Sequence, residues 1–582
     1  MAAQRVFKSD DRGDTWTPVS PDLTRQLDRN KLQIMGRVWS VDAVAKNTST
    51  SIYGNIVALS ESPMREGLLY AGTDDGLIQV SEDGGAHWRK VDGVAGVGEY
   101  AYVSRVVASR HAAGTVYATF ERHKMGDFKP YVYRSTNMGR TWTNITGDLP
   151  ASGSVYSFAE DTVSPDLLFA GTEFGAFFSP DGGKRWIQLK GGLPTQAFRD
   201  LTIQKREGDL VLASFGRGFY VLDDLTPLRQ MASEAKLGAD ATLLPVRTTP
   251  MYVEATPLGG EGGSQQGGAF FTAQNPPYGA VFTYWLHDGF KSRKDARHER
   301  EKDQAKAGTG SFYPSWDSLR AEAREEDPAI VLTVTNDAGD VVRRIEAPAG
   351  AGFHRVAWDL RWSSLVPIDG SVRRRSEFDD TPEGPLAAPG TYHVAMAKRV
   401  GGVLTALGAP QTFACTPIGG ATLPARDRGE LQAFELRTAR LQRAAAGAAR
   451  ALGETQQRAG LLKKALAQTP AGSEELRGSA AALENALRDL AVTFFGDPVV
   501  SGHSESWPPA LMDRLNQVVS GHWNATCAPT QTERHNVDLV EGQLPAALGT
   551  LTTLRAQLQA LEAQAEAAGA PWTPGRLPEW KK

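Results

Sequence analysis

The stretch SEDGGAHW, from Ser81 to Trp88, decides the fold because its pattern returns along the chain. SDDRGDTW (9–16), STNMGRTW (135–142) and SPDGGKRW (179–186) share the pattern S-x-[DN]-x-G-x-x-W, and each follows a short apolar run. An Asp or Asn two residues after the Ser can bond backbone amides ahead of it, and the Gly can take a positive φ. The Trp then starts the outgoing strand and buries its ring between neighbouring sheets. Four copies in register predict a repeat of β-hairpins.

We call these four segments the box turns and assign their recurring residues a structural role. The recurring residues are Ser9, Asp11, Gly13, Trp16, Ser81, Asp83, Gly85, Trp88, Ser135, Asn137, Gly139, Trp142, Ser179, Asp181, Gly183 and Trp186. The box turns resemble the Asp-box, or BNR repeat, of sialidases, sortilin-like proteins and related β-propellers. The units around them share one layout of strand, short loop, strand, box and strand. The resemblance therefore implies a mainly β protein with four-stranded blades around an axis.

Four full sheets are expected from about residue 56 to residue 224, and residues 5–19 add the outer half of another blade. The unit GDLVLASFGRGFYVLDD (208–224) has lost its box. Propellers of this family mostly have six or seven blades. The resemblance thus implies that this chain is an N-terminally truncated member of a group of longer proteins, which are often labelled glycosyl hydrolases.

Composition agrees with a multidomain protein and argues against some partners. The 582 residues are 41% hydrophobic and carry a net charge of −4, so a nucleic-acid partner is not expected. No apolar run approaches the length of a membrane span. No Cys-x-x-Cys or His-Glu-x-x-His motif occurs, so neither a metal nor a cofactor is expected. The two cysteines, Cys415 and Cys527, can be free thiols or one interdomain bridge.

Changes of pattern divide the chain into four segments. These are propeller blades at 1–226, a linker at 227–270, a β-sandwich at 271–418 with a charged insertion at 288–327, and a helical bundle or tail at 426–582. Alternating apolar and polar residues between Gly turns indicate the sandwich, which resembles an Ig-like domain. Its Trp358–Arg361 run is expected to fill the core and tie sheet to sheet. Leucines at helical spacing in Ala-rich sequence indicate the C-terminal helices, which can also dock a protein partner.

A ligand site is expected on the axial face of the blades. In a blade of strands A to D, the box turn joins C to D at the periphery, so the B-to-C turns and D-to-A connections form the opposite face. The candidate catalytic acids there are Asp74, Asp75 and Glu173. The candidate ligand-binding residues are Arg37, Tyr53, Tyr102, Glu121, Arg122, Tyr156, Arg199 and Arg217, with Glu99, Tyr100, Arg105 and His123 nearby. Aromatic rings stack on sugar faces, while acids and guanidinium groups orient hydroxyls or carboxylates.

Two classes of function stay open for this face, which is expected to engage carbohydrate or peptide. A glycosidase needs two carboxylates about 5 to 9.5 Å apart, which Asp74 or Asp75 with Glu173 could supply. The Arg-Ile-Pro signature of sialidases does not occur in this sequence. Xyloglucan-cleaving relatives use two facing propellers, whereas this chain holds at most one.

The alternative is a non-catalytic binding or assembly platform, as the resemblance to sortilin-like propellers and photosystem assembly factors implies. Converging buried acids would favour the enzyme, and a mouth lined mainly by Arg and Tyr would favour binding. In either case the resemblance implies that the full-length parent is extracellular or periplasmic.

Overall fold

The computed structural model describes residues 4–44, 46, 53–91, 93–231, 240–254, 273–368, 384–419, 423–578 and 580. The chain divides into two units, Met1–Pro245 and Val246–Lys582. The elements of the first unit are β1 (Phe7–Lys8), β2 (Thr17–Pro18), β3 (Ile56–Glu61), β4 (Leu69–Thr73), β5 (Ile78–Ser81), β6 (Arg89–Lys90), β7 (Tyr102–Ala108), β8 (Val116–Arg122), β9 (Asp127–Ser135), β10 (Thr143–Asn144), β11 (Val155–Glu160), β12 (Leu168–Thr172), β13 (Gly175–Ser179), β14 (Ile187–Gln188), β15 (Phe198–Gln204), β16 (Asp209–Ser214), β17 (Phe219–Leu222), helix α1 (Thr226–Met231) and β18 (Ala241–Leu243).

The first unit is a succession of antiparallel sheets in which each strand pairs with the next along the chain. Strands β3–β6, β7–β10 and β11–β14 form three four-stranded sheets, β15–β17 form a three-stranded sheet, and β1 pairs with β2. The first strands lie innermost, because β7 packs against β3 and β11, and β15 packs against β11. This arrangement is a β-propeller-type fold; three of the four predicted full sheets have four strands, and β1 with β2 forms the predicted partial sheet. The fourth sheet has three strands, since the chain enters α1 soon after Leu222.

A β-bulge recurs at the same place in all four innermost strands. The register shifts between Ile56 and Ala58, between Val103 and Arg105, between Val155 and Ser157, and between Phe198 and Asp200. The residues left out of the ladder are Val57, Ser104, Tyr156 and Arg199. A bulge redirects a side chain and bends the strand. The hydroxyl of Ser104 uses this freedom to donate to the carbonyl of Val155 on the neighbouring innermost strand, at 2.7 Å.

The box turns form the same local hydrogen bonds in each copy. In SEDGGAHW, the Ser81 hydroxyl donates to Asp83 Oδ1 at 2.9 Å, and the Gly85 amide donates to Ser81 Oγ at 2.8 Å. The amide of His87 donates to Asp83 Oδ1 at 2.9 Å. This bond and the His87 side chain lower the pKa of Asp83 to about 2. The equivalent Ser–Asp/Asn and Gly–Ser bonds occur in the other three turns.

Each box-turn Gly has a positive φ, as predicted. The expectation that each box-turn Trp is buried is confirmed for Trp186, but Trp88 and Trp142 are only partly buried and Trp16 is 63% exposed. Trp88 donates from Nε1 to the carbonyl of Val19 in the preceding sheet, and Trp186 donates to that of Ile145. A box-turn Trp is thus covered by the sheet before its own, and within the described residues no sheet precedes the one that carries Trp16.

The second unit begins with β-sheets. Its strands are β19 (Thr249–Met251), β20 (Ala280–Leu286), β21 (Ala329–Asn336), β22 (Val341–Ala347), β23 (Gly352–Trp358), β24 (Gly390–Val400), β25 (Val403–Ala406) and β26 (Gln411–Pro417). Strands β20 and β23 are antiparallel neighbours, and β19, β26, β24, β21 and β22 lie in that order in a second sheet, with β25 paired to β24. The two sheets pack against each other through aromatic rings. The ring centres of Phe282 and Phe413 are 5.6 Å apart, and those of Trp358 and Tyr392 are 5.1 Å apart. Strand β19 falls inside the segment predicted as a linker, whose GGEGGSQQGG run lies outside the described residues.

Helices make up the rest of the second unit. They are α2 (Arg293–Lys306), α3 (Trp316–Arg324), α4 (Arg428–Ala467), α5 (Glu474–Phe495), α6 (Pro498–Gly502), α7 (Leu511–His522) and α8 (Gln531–Ala567). The charged insertion is helical in α2 and α3, which Arg297 joins by donating to Glu322 at 2.8 and 2.9 Å. Helices α4, α5, α7 and α8 share one apolar core, so the predicted C-terminal helical region is confirmed.

Side chains predicted to be important in this unit have structural partners. Trp358 is fully buried, as expected. Arg361 ties the sheets to the helical region, because its guanidinium group donates to the carbonyl of Trp523 at 2.6 Å and to Asn524 Oδ1 at 2.9 Å. Both cysteines are free thiols, and burial raises the pKa of Cys415 to about 12.

Candidate functional site

The turn between β4 and β5 carries Asp74 and Asp75, whose carboxylates accept hydrogen bonds from this chain. Asp75 is fully buried; its Oδ1 accepts from the Thr73 hydroxyl at 2.5 Å, and its Oδ2 accepts from the Arg25 amide at 2.7 Å. Oδ1 of Asp74 accepts from the amides of Gly54 and Asn55 at 3.0 and 2.7 Å. Both acids therefore hold neighbouring backbone segments in place.

Glu121, at the end of β8, has a different environment. It is 6% exposed, and its Oε1 lies 2.9 Å from His123 Nδ1. Its Oε2 has no hydrogen-bond partner in the described part of the chain. Glu121 pairs across the ladder with Tyr102. Burial raises the pKa of Tyr102, and the charges of Glu121 and Asp74 raise it further. These groups therefore lie within electrostatic range of one another.

Tyr156 and Arg199 meet at the bulges of two adjacent innermost strands. The guanidinium carbon of Arg199 lies 3.7 Å from the centre of the Tyr156 ring and 5.4 Å from that of Phe215. Burial raises the pKa of Tyr156, with further upward contributions from Glu173 and Glu121. The structure thus brings together residues from three sheets that belong to no common sequence motif. This cluster, which we call the mouth, comprises Tyr102, Glu121, Tyr156, Glu173 and Arg199.

A neighbouring group surrounds the buried Asp75. Burial, followed by the charges of Asp75 and Asp74, raises the pKa of Tyr53. The guanidinium carbon of Arg25 lies 4.9 Å from the centre of the Tyr100 ring, and its Nε donates to the Asp75 carbonyl at 2.8 Å. Asp74 acts on both Tyr53 and Tyr102, so this group adjoins the mouth.

Other predicted ligand residues have local partners instead. Arg37 stacks over Trp39 at 3.6 Å, and Arg122 donates to Asp127 Oδ2 at 3.0 Å. Arg217 is exposed in the turn between β16 and β17. Glu99 is also exposed, just before β7. Arg105 pairs with Asp200, which links innermost strands β7 and β15.

The location of three residues differs from the prediction. Tyr102, Tyr156 and Arg199 were expected in D-to-A connections, but they lie in strands β7, β11 and β15. In each of these strands a bulge offsets the alternation of side chains, so the apolar pattern does not mark where the strand begins.

Sequence reasoning also missed Phe174, Phe215 and Arg25. Phe174 and Phe215 are 48% and 65% exposed in the turns of GTEFG and SFGRG. A large aromatic residue inside a Gly-rich turn was the available signal, since such a ring has little neighbouring structure to cover it. Arg25 gave no local signal, because its partners Asp75 and Tyr100 are distant in sequence.

No protein-family model matches the chain, and no curated protein matches it. Among solved structures, it is similar to the GH74 enzyme of Niastella koreensis, with a TM-score of 0.25 and 16% identity over 30% of this chain and 29% of that one. An ancestral GH74 enzyme gives a TM-score of 0.28 and 11% identity over 69% of this chain and 41% of that one. YCF48 bound to the D1 peptide gives 0.24 and 18% over 29% of this chain and 51% of that one. The chain thus spans about half or less of each of these three structures.

The succession of antiparallel sheets defines the class of protein. The chain is a β-propeller-type protein followed by further β-sheets and a helical region. Within the described residues, no helix has both the length and the hydropathy needed to cross a membrane.

Proposed function

We propose that the mouth binds carbohydrate or peptide. The observation that carries this proposal is that the guanidinium carbon of Arg199 lies over two rings, 3.7 Å from the centre of Tyr156 and 5.4 Å from that of Phe215. Stacking fixes the plane of the guanidinium group and leaves its N–H edge free to engage a carboxylate, carbonyl or hydroxyl. The exposed ring of Phe215 supplies an apolar face beside that edge. Planar donors next to aromatic faces suit sugars and extended peptides alike.

The acids of the mouth support a ligand with hydrogen-bond donors. Glu121 offers an unpartnered Oε2, and Glu173 is close enough to influence Tyr156. A sugar hydroxyl or a peptide amide can donate to such oxygens, whereas the N–H edge of Arg199 can donate to a hydroxyl or carbonyl oxygen of the same ligand. Asp74 and Tyr53 extend the polar surface, and they are proposed as flanking contacts.

Glycoside hydrolysis is the second candidate function, and one observation favours it. Glu121 is a buried acid with a free oxygen in the same cluster as Glu173, which is the combination that acid–base chemistry on a glycosidic bond uses. The original pairing of Asp75 with Glu173 has less support, because both oxygens of Asp75 already accept hydrogen bonds.

The binding proposal is tested by titrating oligosaccharides and short peptides into the chain and into Arg199→Ala and Phe215→Ala. Each variant should weaken a bound ligand at least about tenfold, because central aromatic and Arg contacts dominate binding energy. The matched control is Arg206→Ala, which removes an exposed Arg paired with Glu207. Equal affinity in all four proteins would reject the mouth as the site.

Hydrolysis is tested separately with a panel of aryl-glycosides and polysaccharides. Turnover that is lost in Glu121→Gln and Glu173→Gln, but kept in Asp75→Asn, would establish the enzyme with Glu121 and Glu173 in the reacting roles. Binding without turnover would leave the platform function alone.

Three wider assignments belong to this proposal. The shared hydrogen bonds of the box turns support membership of the Asp-box, sortilin-like group. The ring contacts between the two sheets of the second unit support an Ig-like sandwich. We assign the protein to an extracellular or periplasmic location, where polysaccharides and peptides are available as ligands, and localisation of a tagged copy tests this.

A further inference from the structure

A cavity of about 660 Å³ lies within the second unit, between its sheets and helix α4. Met251 and Pro417, from the paired strands β19 and β26, form one wall, and Leu431 of α4 forms another. Tyr252 and Asn524 are exposed and mark the opening. The volume and the mixed lining are those of a site for a small organic molecule.

One side chain of this cavity lacks a partner. Glu435 is 2% exposed and lines the cavity from α4. Its Oε1 has no hydrogen-bond partner among the residues that the structure describes. Burial raises the pKa of this carboxyl group to about 8, against the opposing charges of Arg361 and Arg428. A buried carboxyl oxygen without a partner is costly, and a donor placed in the cavity would relieve that cost.

The neighbouring polar groups are already committed to partners of their own. The side-chain oxygen of Gln432, in the orientation of its amide group that satisfies both donors, accepts from Trp362 Nε1 at 3.1 Å and from the Ala388 backbone amide at 2.6 Å. Arg428 donates to the Thr526 carbonyl at 3.0 Å. Arg361, as described above, donates to carbonyl and amide oxygens. Among the described polar groups around the cavity, Oε1 of Glu435 is therefore the atom that still lacks a hydrogen-bond donor.

Aromatic rings lie at the opening of the same cavity. The rings of Tyr252 and Tyr278 are edge-to-face with centroids 4.9 Å apart, and the Tyr278 hydroxyl donates to the Tyr252 carbonyl at 2.6 Å. This bond fixes the orientation of the Tyr278 ring. An aromatic entrance above a buried acid suits a flat apolar group that carries a cationic head.

We propose that this cavity binds a small aromatic amine, whose ammonium group donates to Oε1 of Glu435 while its ring packs against Tyr252 and Tyr278. An ammonium ion compensates the buried carboxylate as well as filling its hydrogen-bond vacancy, which a neutral alcohol does only in part. A carboxylate ligand would be disfavoured, because it would place a second negative charge beside the Glu435 carboxylate. This site is independent of the mouth and of the function proposed for it.

The test is isothermal titration calorimetry of the whole chain with phenethylamine, 2-phenylethanol and 3-phenylpropionate, which share a ring and differ in the head group. Phenethylamine should bind one site per chain with a Kd below about 1 mM, as is reasonable for so few heavy atoms. The alcohol and the acid should bind at least about tenfold more weakly. Binding of the amine should tighten from pH 6 to pH 8, because Glu435 must release its proton to form the ion pair.

Glu435→Gln should weaken phenethylamine at least about tenfold and remove the pH dependence. Glu454→Gln is the matched control, because Glu454 is an exposed acid on the same helix and its loss should leave binding unchanged. Thermal unfolding verifies that each variant is folded. Absence of saturable amine binding, equal binding by Glu435→Gln, or tighter binding of 3-phenylpropionate would each overturn the proposal.

Discussion

The guanidinium carbon of Arg199 lies 3.7 Å from the centre of the Tyr156 ring, and each residue is the bulged position of its innermost strand. The same bulge occurs in neighbouring sheets, so the two redirected side chains meet although they belong to different sheets. Their contact is a consequence of the repeat rather than of a local motif. It places a planar cation in a fixed orientation at the mouth.

Arg199→Lys should weaken the ligand of the mouth by about two- to fivefold, because an ammonium group keeps the charge but loses the planar stacking and the two-pronged donor edge. Arg199 is exposed, so the free energy of unfolding should change by less than about 0.5 kcal/mol. Titration of the ligand, with urea unfolding as the companion measurement, checks both values. A full loss of affinity in Arg199→Lys would mean that stacking, not charge, supplies most of the binding.

Gly85→Ala should destabilise the first unit by at least about 2 kcal/mol. Gly85 has a φ of +100°, and an added Cβ would lie 2.4 Å from the Val19 carbonyl oxygen. That carbonyl also accepts from Trp88 Nε1. The substitution therefore adds a backbone overlap to the cost of a positive φ.

Gly84→Ala is the control for Gly85→Ala. Gly84 also has a positive φ, of +73°, but its added Cβ would meet no atom within 4 Å. It should cost only about 1 kcal/mol, from the backbone conformation. Urea unfolding followed by tryptophan fluorescence measures both variants, and equal losses would show that the overlap with Val19 is relieved without cost.

Arg229→Ala should destabilise the first unit by about 3 to 5 kcal/mol at pH 7, because it leaves a buried carboxylate unpaired. Asp161 is fully buried, and Nε and Nη2 of Arg229 donate to its two oxygens, each at 2.9 Å. Burial alone would raise the pKa of Asp161, but the bonds from Arg229 and from the amide of Ser164 bring it below its ordinary value.

The lowered pKa of Asp161 determines how the contribution of this ion pair to stability depends on pH. A lowered folded-state pKa gives stability that is present above the unfolded value of about 3.8 and is lost as the pH falls. The difference between the wild-type chain and Arg229→Ala should therefore shrink from pH 7 to pH 3. Urea unfolding at both pH values measures it. A difference that does not change with pH would show that Asp161 is not the group responsible.

The stability of Glu435→Gln relative to the wild-type chain should be greater at pH 8 than at pH 5. Because burial raises the pKa of Glu435 to about 8, the folded acid keeps its proton while the unfolded acid has lost it. The wild-type chain then loses stability between about pH 4.5 and pH 8, by at most about 1.4 kcal/mol per pH unit from this group. The glutamine variant lacks that loss. Thermal midpoints across this range check the prediction, and parallel curves would refute it.

The sequence by itself determined the box turns, because their hydrogen bonds close within eight residues. The Ser81, Asp83 and Gly85 contacts depend on residue types at fixed offsets, and so they can be read from one segment. The same holds for the helical region, where apolar spacing and the capping residue Thr530 act locally. The count of sheets follows from the repeat of these local units.

Tertiary structure decided which residues share a site. Arg25 reaches Asp75 across 50 positions, and Arg199 reaches Tyr156 through bulges that no spacing rule reveals. Asp75 was a candidate catalytic acid by its turn, but burial and its two hydrogen bonds give it a supporting role. Glu435 lies on a helix whose pattern shows an ordinary apolar face, and its missing partner appears only when the sheets pack against it. Burial and hydrogen-bond satisfaction depend on atoms that are distant in sequence, so only the folded chain defines them.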